Sequence, residues 1–119
     1  MPFSSDRAIF LELADAIAAD VMAGLYPEES QVPSTTELAA HYRINPATAG
    51  KALNRLVDAG IVYKKRGLGM FVAEGAPEAL RRGRRAEFRT DYITPLLAEA
   101  RRLGLTTVDV VDMITKDQA

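Results

Sequence analysis

The chain has 119 residues, enough for one domain and a short additional segment, and 48% of them are hydrophobic, which is typical of a folded globular protein. Cysteine is absent, which excludes disulfides, thiolate catalysis and cysteine-bound metals and is compatible with the cytoplasmic location that we expect. No stretch is apolar enough to indicate a signal peptide or a membrane span, so no membrane partner is expected.

The formal net charge of −1 conceals an uneven distribution of charge along the chain. Residues 1–40 contain seven acids and one base, whereas residues 41–70 contain six bases and one acid. Because salt screens phosphate attraction beyond about 8–10 Å, a local cluster matters more than the net charge. The basic segment therefore suits a nucleic-acid partner, and a solvated basic face without a partner is the alternative.

The first helix is predicted over residues 6–23, ending at Gly24. Its apolar side chains recur at helical spacing and form one stripe: Phe10, Leu13, Ile17 and Val21. Gln31 and Val32 are expected to form one short strand against a later hairpin.

Two short helices joined by a tight turn follow. Ser34 and Glu37 have the spacing of a capping box at the start of helix 35–42, and Asn45 is a good N-cap for helix 46–59. The side chains expected to face the core are Leu38, Ala39, Tyr42, Ile44, Ala49, Ala52, Leu53, Leu56 and Val57.

A basic β-hairpin is predicted next, with strands at 61–63 and 70–72 and a turn at 64–69. The turn contains two glycines, which also match a fragment of a phosphate-loop pattern, but the third glycine and the following helix are missing, so nucleotide binding is disfavoured. Helix, turn, helix and basic hairpin in this order are typical of a winged helix-turn-helix that binds duplex DNA.

The remaining residues predict a helix over 78–103, interrupted or kinked at Pro95, and a last helix over 107–116 with a capping box from Thr106 to Asp109. Their apolar positions are Phe88, Tyr92, Leu96, Leu103, Val108, Val111 and Ile114.

We expect these apolar positions to pair with those of a second chain, because most homo-oligomers are two-fold dimers. Packing within one chain is the alternative. The predicted fold is mainly α with a small β-hairpin wing: a winged helix-turn-helix at 1–75 and a helical dimerisation tail at 76–119.

Three motifs resemble the GntR family of bacterial transcriptional regulators: Pro33-Ser34-x-x-Glu37-Leu38-Ala39, then Asn45-Pro46-x-Thr48, then Leu56-x-x-x-Gly60-Ile61-x-Tyr63-x-x-x-Gly67-x-Gly69-x-Phe71-Val72. The resemblance covers roughly residues 9–73. The short two-helix tail resembles the YtrA-like subfamily. That resemblance implies a dimeric repressor, often linked to transporter operons, that binds a two-fold-symmetric operator.

The resemblance carries over only in part. The position of Thr36 is usually an arginine that touches DNA, and those of Pro46 and Gly50 are often arginine, so bidentate reading of guanine is lost at all three. Lys51 becomes the favoured base contact, and Gly67 would let Arg66 reach the minor groove or its phosphates. The full set of DNA-binding candidates is Ser34, Thr35, Thr36, Asn45, Ala47, Thr48, Gly50, Lys51, Arg55, Lys64, Lys65, Arg66 and Gly67.

No catalytic residue, metal site or cofactor is predicted. His41 is the single histidine, and Asp109 and Asp112 are more simply explained as helix-capping and solvated carboxylates. The missing arginines give weight to a different function, a winged helix that contacts protein without specific DNA binding. The operator, the sign of regulation and an unidentified small-molecule effector stay open.

Overall fold

The computed structural model describes residues 8–118. Within them the elements are α1 (Ile9–Met22), α2 (Thr35–Tyr42), α3 (Pro46–Asp58), β1 (Val62–Lys65), β2 (Gly69–Val72), α4 (Ala76–Phe88), a π-helical turn (Arg89–Ile93), α5 (Thr94–Arg102) and α6 (Thr107–Asp117). The predicted fold class, mainly helical with a two-stranded antiparallel hairpin, is confirmed. Contacts divide the chain into two compact units, Met1–Arg81 and Arg82–Ala119.

The core of the first unit lies between α1, α3 and the hairpin. The largest fully buried side chains are Leu13, Ile17, Val21, Leu53, Val62 and Val72. Burying each of them contributes about 1.5–3 kcal/mol. The predicted stripe of α1 therefore faces the core, with Phe10 half-buried at its start.

Helix α1 is shorter than the predicted 6–23. Ala8 has extended dihedral angles and precedes the first helical residue, and Ala23 is the C-cap whose N–H donates to the Ala19 carbonyl. Positions 6 and 7 lie outside the described residues.

Local hydrogen bonds explain where α2 and α3 begin. The Ser34 Oγ accepts from the Glu37 N–H at 3.1 Å, and the Glu37 carboxylate accepts from the Ser34 N–H at 2.9 Å. The Asn45 side chain accepts from the Ala47 N–H at 2.8 Å. Both predicted caps are confirmed. Ile44, expected to be buried, is half-buried beside the core.

The hairpin is longer than predicted, because Lys64 and Lys65 belong to β1 and not to the turn. Lys64 pairs with Met70 and Lys65 with Gly69. The turn is therefore confined to residues 66–68 and closes with a bond from the Leu68 N–H to the Lys65 carbonyl. This corrects the predicted strand at 61–63 and turn at 64–69.

The Gln31 segment pairs with β2 as predicted, through a single bridge to Phe71. The Gln31 amide also donates to the Leu68 carbonyl at 2.8 Å and holds the hairpin tip. Glycine is favoured at position 69 because its φ is +118°, and a Cβ there would also displace the Gln31 amide nitrogen, which lies 2.5 Å from its position.

The predicted helix 78–103 is three segments that follow one another: α4, the π-helical turn and α5. Proline has no N–H to donate and its ring clashes with the carbonyl four residues back, so the helical ladder must adjust near Pro95. The adjustment is the π-helical turn, where the Thr94 N–H donates to the Arg89 carbonyl, five residues back. The α-helix is thus interrupted at residues 89–93, upstream of the proline.

The last helix begins at the predicted capping box, in which Thr106 and Asp109 exchange two hydrogen bonds, and it extends one residue further than expected, to Asp117. Ala100 is the one buried side chain among residues 82–118. The seven predicted tail positions are exposed, by 39% to 76%.

Candidate nucleic-acid interface

Helix α3 has one buried face and one open face. Ala49, Ala52, Leu53 and Leu56 are buried in the core. The helical repeat places Ala47, Lys51, Asn54 and Asp58 on the opposite side, where all four are exposed. The leading end is also open, because Asn45 and Pro46 are exposed. An acid at the trailing end opposes phosphate, so the leading end is the part of α3 that suits DNA.

The predicted DNA-binding residues all lie in the first unit, and none of them is fully buried. Thr35, Thr48 and Gly50 are half-buried. The exposed members are Ser34, Thr36, Asn45, Ala47, Lys51, Arg55, Lys64, Lys65, Arg66 and Gly67.

Lys64 lies beside the start of the helix-turn-helix. It lines a shallow groove together with Ser34 and Thr35 at the beginning of α2 and with Leu53 of α3. The groove therefore joins a cation of the hairpin, two hydroxyl-bearing residues and the open N-terminal turn of a helix. These groups are the ones that proteins use to hold phosphate.

Lys65 occupies the other face of the hairpin, as the alternation of a strand requires. Its ammonium nitrogen lies 4.5 Å from the centre of the Phe71 ring and 5.8 Å from that of Tyr63. The structure thus separates two lysines that the sequence presents as one basic run.

Two acidic residues brace the hairpin from the preceding loop. The Tyr63 hydroxyl donates to the Glu29 carboxylate, and this hydrogen bond raises the pKa of Tyr63. The Gly75 N–H donates to the Glu28 carboxylate at the end of the hairpin. These bonds hold the base of the hairpin to the loop that precedes α2.

Lys51 is directed toward α1. Its ammonium nitrogen lies 5.8 Å from the centre of the Phe10 ring, in an open groove that Asn54 and Arg55 also line. The exposed ammonium remains accessible from solvent, and its interaction with Phe10 is weak at that distance.

Sequence reasoning missed two exposed residues of this surface. Asn54 lies four residues after Gly50 on the open face of α3, a periodicity that the sequence already contained. Arg43 occupies the turn between α2 and α3 in a left-handed conformation, with φ +56° and ψ +51°. No glycine or asparagine marks that conformation in the sequence.

The carboxylates and the histidine weighed as catalytic or metal-binding groups have structural partners. Asp109 caps α6, Asp112 forms an ion pair with Lys116 at 3.0 Å, and His41 packs edge-to-face on Tyr42. Within residues 8–118, no group of three or more metal-ligating side chains is close enough to hold an ion. No helix in the same range is long and apolar enough to cross a membrane.

The model of the bacterial regulatory proteins of the gntR family matches residues 10–72, more than half of the chain. The chain belongs to the GntR family. The match runs from α1 to the end of β2, so it covers the helix-turn-helix and the basic hairpin together.

The HTH-type transcriptional regulator YhcF of Bacillus subtilis is 26% identical over 114 residues, covering 94% of this chain and 91% of YhcF. The histidine utilization repressor of Klebsiella aerogenes is 30% identical over 73 residues. The aligned part covers 61% of this chain but only 30% of that repressor.

Two solved structures of regulators are also similar. A GntR-family transcriptional regulator from Bacteroides thetaiotaomicron is 30% identical with a TM-score of 0.76, over 92% of this chain and 95% of its own. The DNA-binding domain of AraR in complex with operator ORX1 is 26% identical with a TM-score of 0.55, over 61% of this chain and 89% of its own.

Proposed function

We propose that this GntR-family chain is a sequence-specific, duplex-DNA-binding transcriptional regulator that acts in the cytoplasm as a dimeric repressor. The leading end of α3 enters the major groove, and the basic hairpin lies against the adjacent backbone. The observation that carries the proposal is the arrangement of the first unit, in which the start of α2, Leu53 of α3 and Lys64 line one groove and the start of α3 is exposed.

The likeness to the AraR domain supports this placement, because that domain was solved on its operator and aligns with 61% of this chain. Arginine is absent at positions 36, 46 and 50, so other residues must contact the base edges. The residues that make these contacts are Lys51, Asn54 and the small residues Ala47 and Gly50. Ser34, Thr35 and Lys64 bind the backbone and set the register of α3 in the groove.

The second unit pairs two copies of the chain. Residues 82–118 bury one small side chain, which cannot stabilise three helical segments in water. Phe88 and Tyr92 form an exposed ring pair with centroids 5.6 Å apart, and the other apolar tail positions continue on α5 and α6. A second copy covers these side chains and presents two α3 helices about 34–36 Å apart, one turn of DNA.

We also assign the chain to the YtrA-like regulators as part of this proposal. YhcF and the Bacteroides regulator support this assignment, because each aligns over more than nine-tenths of its own length and so is of similar size. A two-helix tail is compatible with a repressor whose tail pairs two copies of the chain.

The test is a gel shift at stated salt with the DNA upstream of the gene that encodes the chain, against a random duplex of equal length. Specific binding should exceed random binding by at least about 10³-fold. The matched control variant is Asp58→Asn, which changes charge at the trailing end of α3 and should leave specificity intact.

The second candidate is a protein-contact module without specific DNA binding, and the absence of arginine at positions 36, 46 and 50 favours it. Equal affinity for the upstream and random duplexes would support this candidate and contradict the proposal.

A further inference from the structure

Arg43 stands at a backbone position that normally belongs to glycine or asparagine. It follows α2 with φ +56° and ψ +51°, the left-handed region in which a Cβ is crowded. The conformation is imposed by the turn, because the N–H groups of Arg43 and Ile44 both donate to the Ala39 carbonyl. Ile44 then packs against the core, so the turn cannot relax.

In the part of the chain that the structure describes, no ion pair of the arginine side chain offsets this strain. Its side chain is exposed, and within residues 8–118 it makes no ion pair with an acid. A strained residue whose exposed side chain forms no ion pair within residues 8–118 is explained by a contact outside the chain.

The position of Arg43 indicates what that contact is. It lies two residues before Asn45, so the two Cα atoms are at most about 7 Å apart, within the length of an arginine side chain. Asn45 begins the exposed leading end of α3. Between residues 33 and 60 the chain has only two guanidinium groups, those of Arg43 and Arg55.

We propose that Arg43 binds a phosphate of the duplex from the turn of the helix-turn-helix, and that this contact explains an arginine at a left-handed position. The inference rests on the proposed function and names a further DNA-binding residue for it. A guanidinium recognises phosphate through two parallel charged hydrogen bonds, a contact that is independent of the base sequence.

The test measures unfolding midpoints in urea and DNA affinity across a range of salt for four variants. Arg43→Gly should raise the midpoint, because the strain is removed. It should also weaken binding to specific and random duplexes by the same factor, and lower the slope of log affinity against log salt by about 0.9. Arg43→Asn, neutral and tolerant of the left-handed region, should lose the same slope.

Two further variants separate a local contact from a general effect of charge. Arg43→Lys keeps the cation and should keep the wild-type slope, whereas Arg101→Gln, in α5, removes an equal charge and should change nothing. Wild-type slopes for Arg43→Gly and Arg43→Asn would overturn the inference and leave the proposed function standing. A wild-type chain without salt-dependent DNA binding would overturn both.

The same inference fails if Arg43→Gly lowers the urea midpoint, because the backbone would then carry no strain. It also fails if Arg43→Lys or Arg101→Gln loses as much slope as Arg43→Gly, since the effect would then not come from a cation at this position.

Discussion

The ammonium nitrogen of Lys65 lies 4.5 Å from the centre of the Phe71 ring, on the face of the hairpin opposite to the groove that Lys64 lines. Adjacent lysines of one strand therefore have different environments. Lys64 lies exposed beside the start of α2, whereas the ammonium group of Lys65 lies over the Phe71 ring.

This separation predicts different effects for two matched substitutions, Lys64→Met and Lys65→Met, which keep the apolar stem and remove the charge. Lys64→Met should weaken DNA binding on all sequences and reduce the salt slope by about 0.9. Lys65→Met should reduce the slope less and lower the free energy of unfolding by about 0.5–1 kcal/mol, through loss of the cation–π contact. Fluorescence anisotropy titrations and urea unfolding measure the two effects. Equal slopes for the two variants would contradict the distinction.

Two substitutions at Gly50 test the stability of α3 and its approach to DNA separately. A Cβ at this position meets no atom within 4 Å, so Gly50→Ala should stabilise the helix by up to about 1 kcal/mol. Gly50→Glu should fold but lose DNA binding, because a carboxylate would face the phosphates. Circular dichroism and gel shifts measure the two effects. Retained binding by Gly50→Glu would remove α3 from the interface, and unchanged binding by Gly50→Ala would mean that glycine is only tolerated there.

The capping box of α2 makes stability depend on acid pH. Hydrogen bonds from the Ser34 backbone and side chain hold the pKa of Glu37 below its ordinary 4.5. A lowered folded-state pKa stabilises the fold above about pH 4.5, and this contribution is lost as pH falls through the folded-state value. Glu37→Gln keeps the hydrogen bonds of the capping box without the charge, so its urea midpoint should fall less between pH 6 and pH 3 than that of the wild type.

The control for that comparison is Asp58→Asn, which makes the same change in charge outside the capping box. A pH profile for Glu37→Gln that coincides with the wild-type profile would show that the ionisation of Glu37 does not contribute to the pH dependence of stability.

The exposed aromatic pair of the tail predicts the oligomeric state. By light scattering at micromolar concentration, the wild-type chain should have twice the 13.0 kDa mass of one copy. Tyr92→Glu should give the mass of a single chain and weaken operator binding, because a buried carboxylate without a partner opposes association. Lys116→Gln, also on an exposed tail helix, is the matched control. A wild-type chain that scatters as a single copy would contradict the pairing of the tails.

Features set by local hydrogen bonding were predictable from the sequence. Ser34, Asn45 and Thr106 are caps because each offers an oxygen to an unpaired N–H within three residues, which requires no knowledge of the rest of the fold. The core stripe of α1 was predictable for a similar reason, since periodicity alone places Leu13, Ile17 and Val21 on one face.

Features set by competition between local and tertiary interactions were not predictable. Lys64 and Lys65 are residue types that are common in turns, but they pair with Met70 and Gly69 of β2 and so belong to a strand. The hydrogen bond from the Gln31 amide to the Leu68 carbonyl holds the adjoining turn. Pro95 indicated a kink without indicating that the helix would adjust upstream through a π-helical turn. The left-handed conformation of Arg43 follows from the hydrogen bonds that the Arg43 and Ile44 N–H groups donate to the Ala39 carbonyl. Arginine at this position does not indicate such a conformation.

The most direct test of the account is a hydroxyl-radical footprint of the wild-type chain on the upstream DNA, with random competitor present. The account predicts two protected half-sites related by two-fold symmetry and separated by about one helical turn, 10–10.5 base pairs, and loss of both in Gly50→Glu. A footprint without sequence preference, or identical protection by Gly50→Glu, would contradict the claim that α3 reads DNA in a paired molecule.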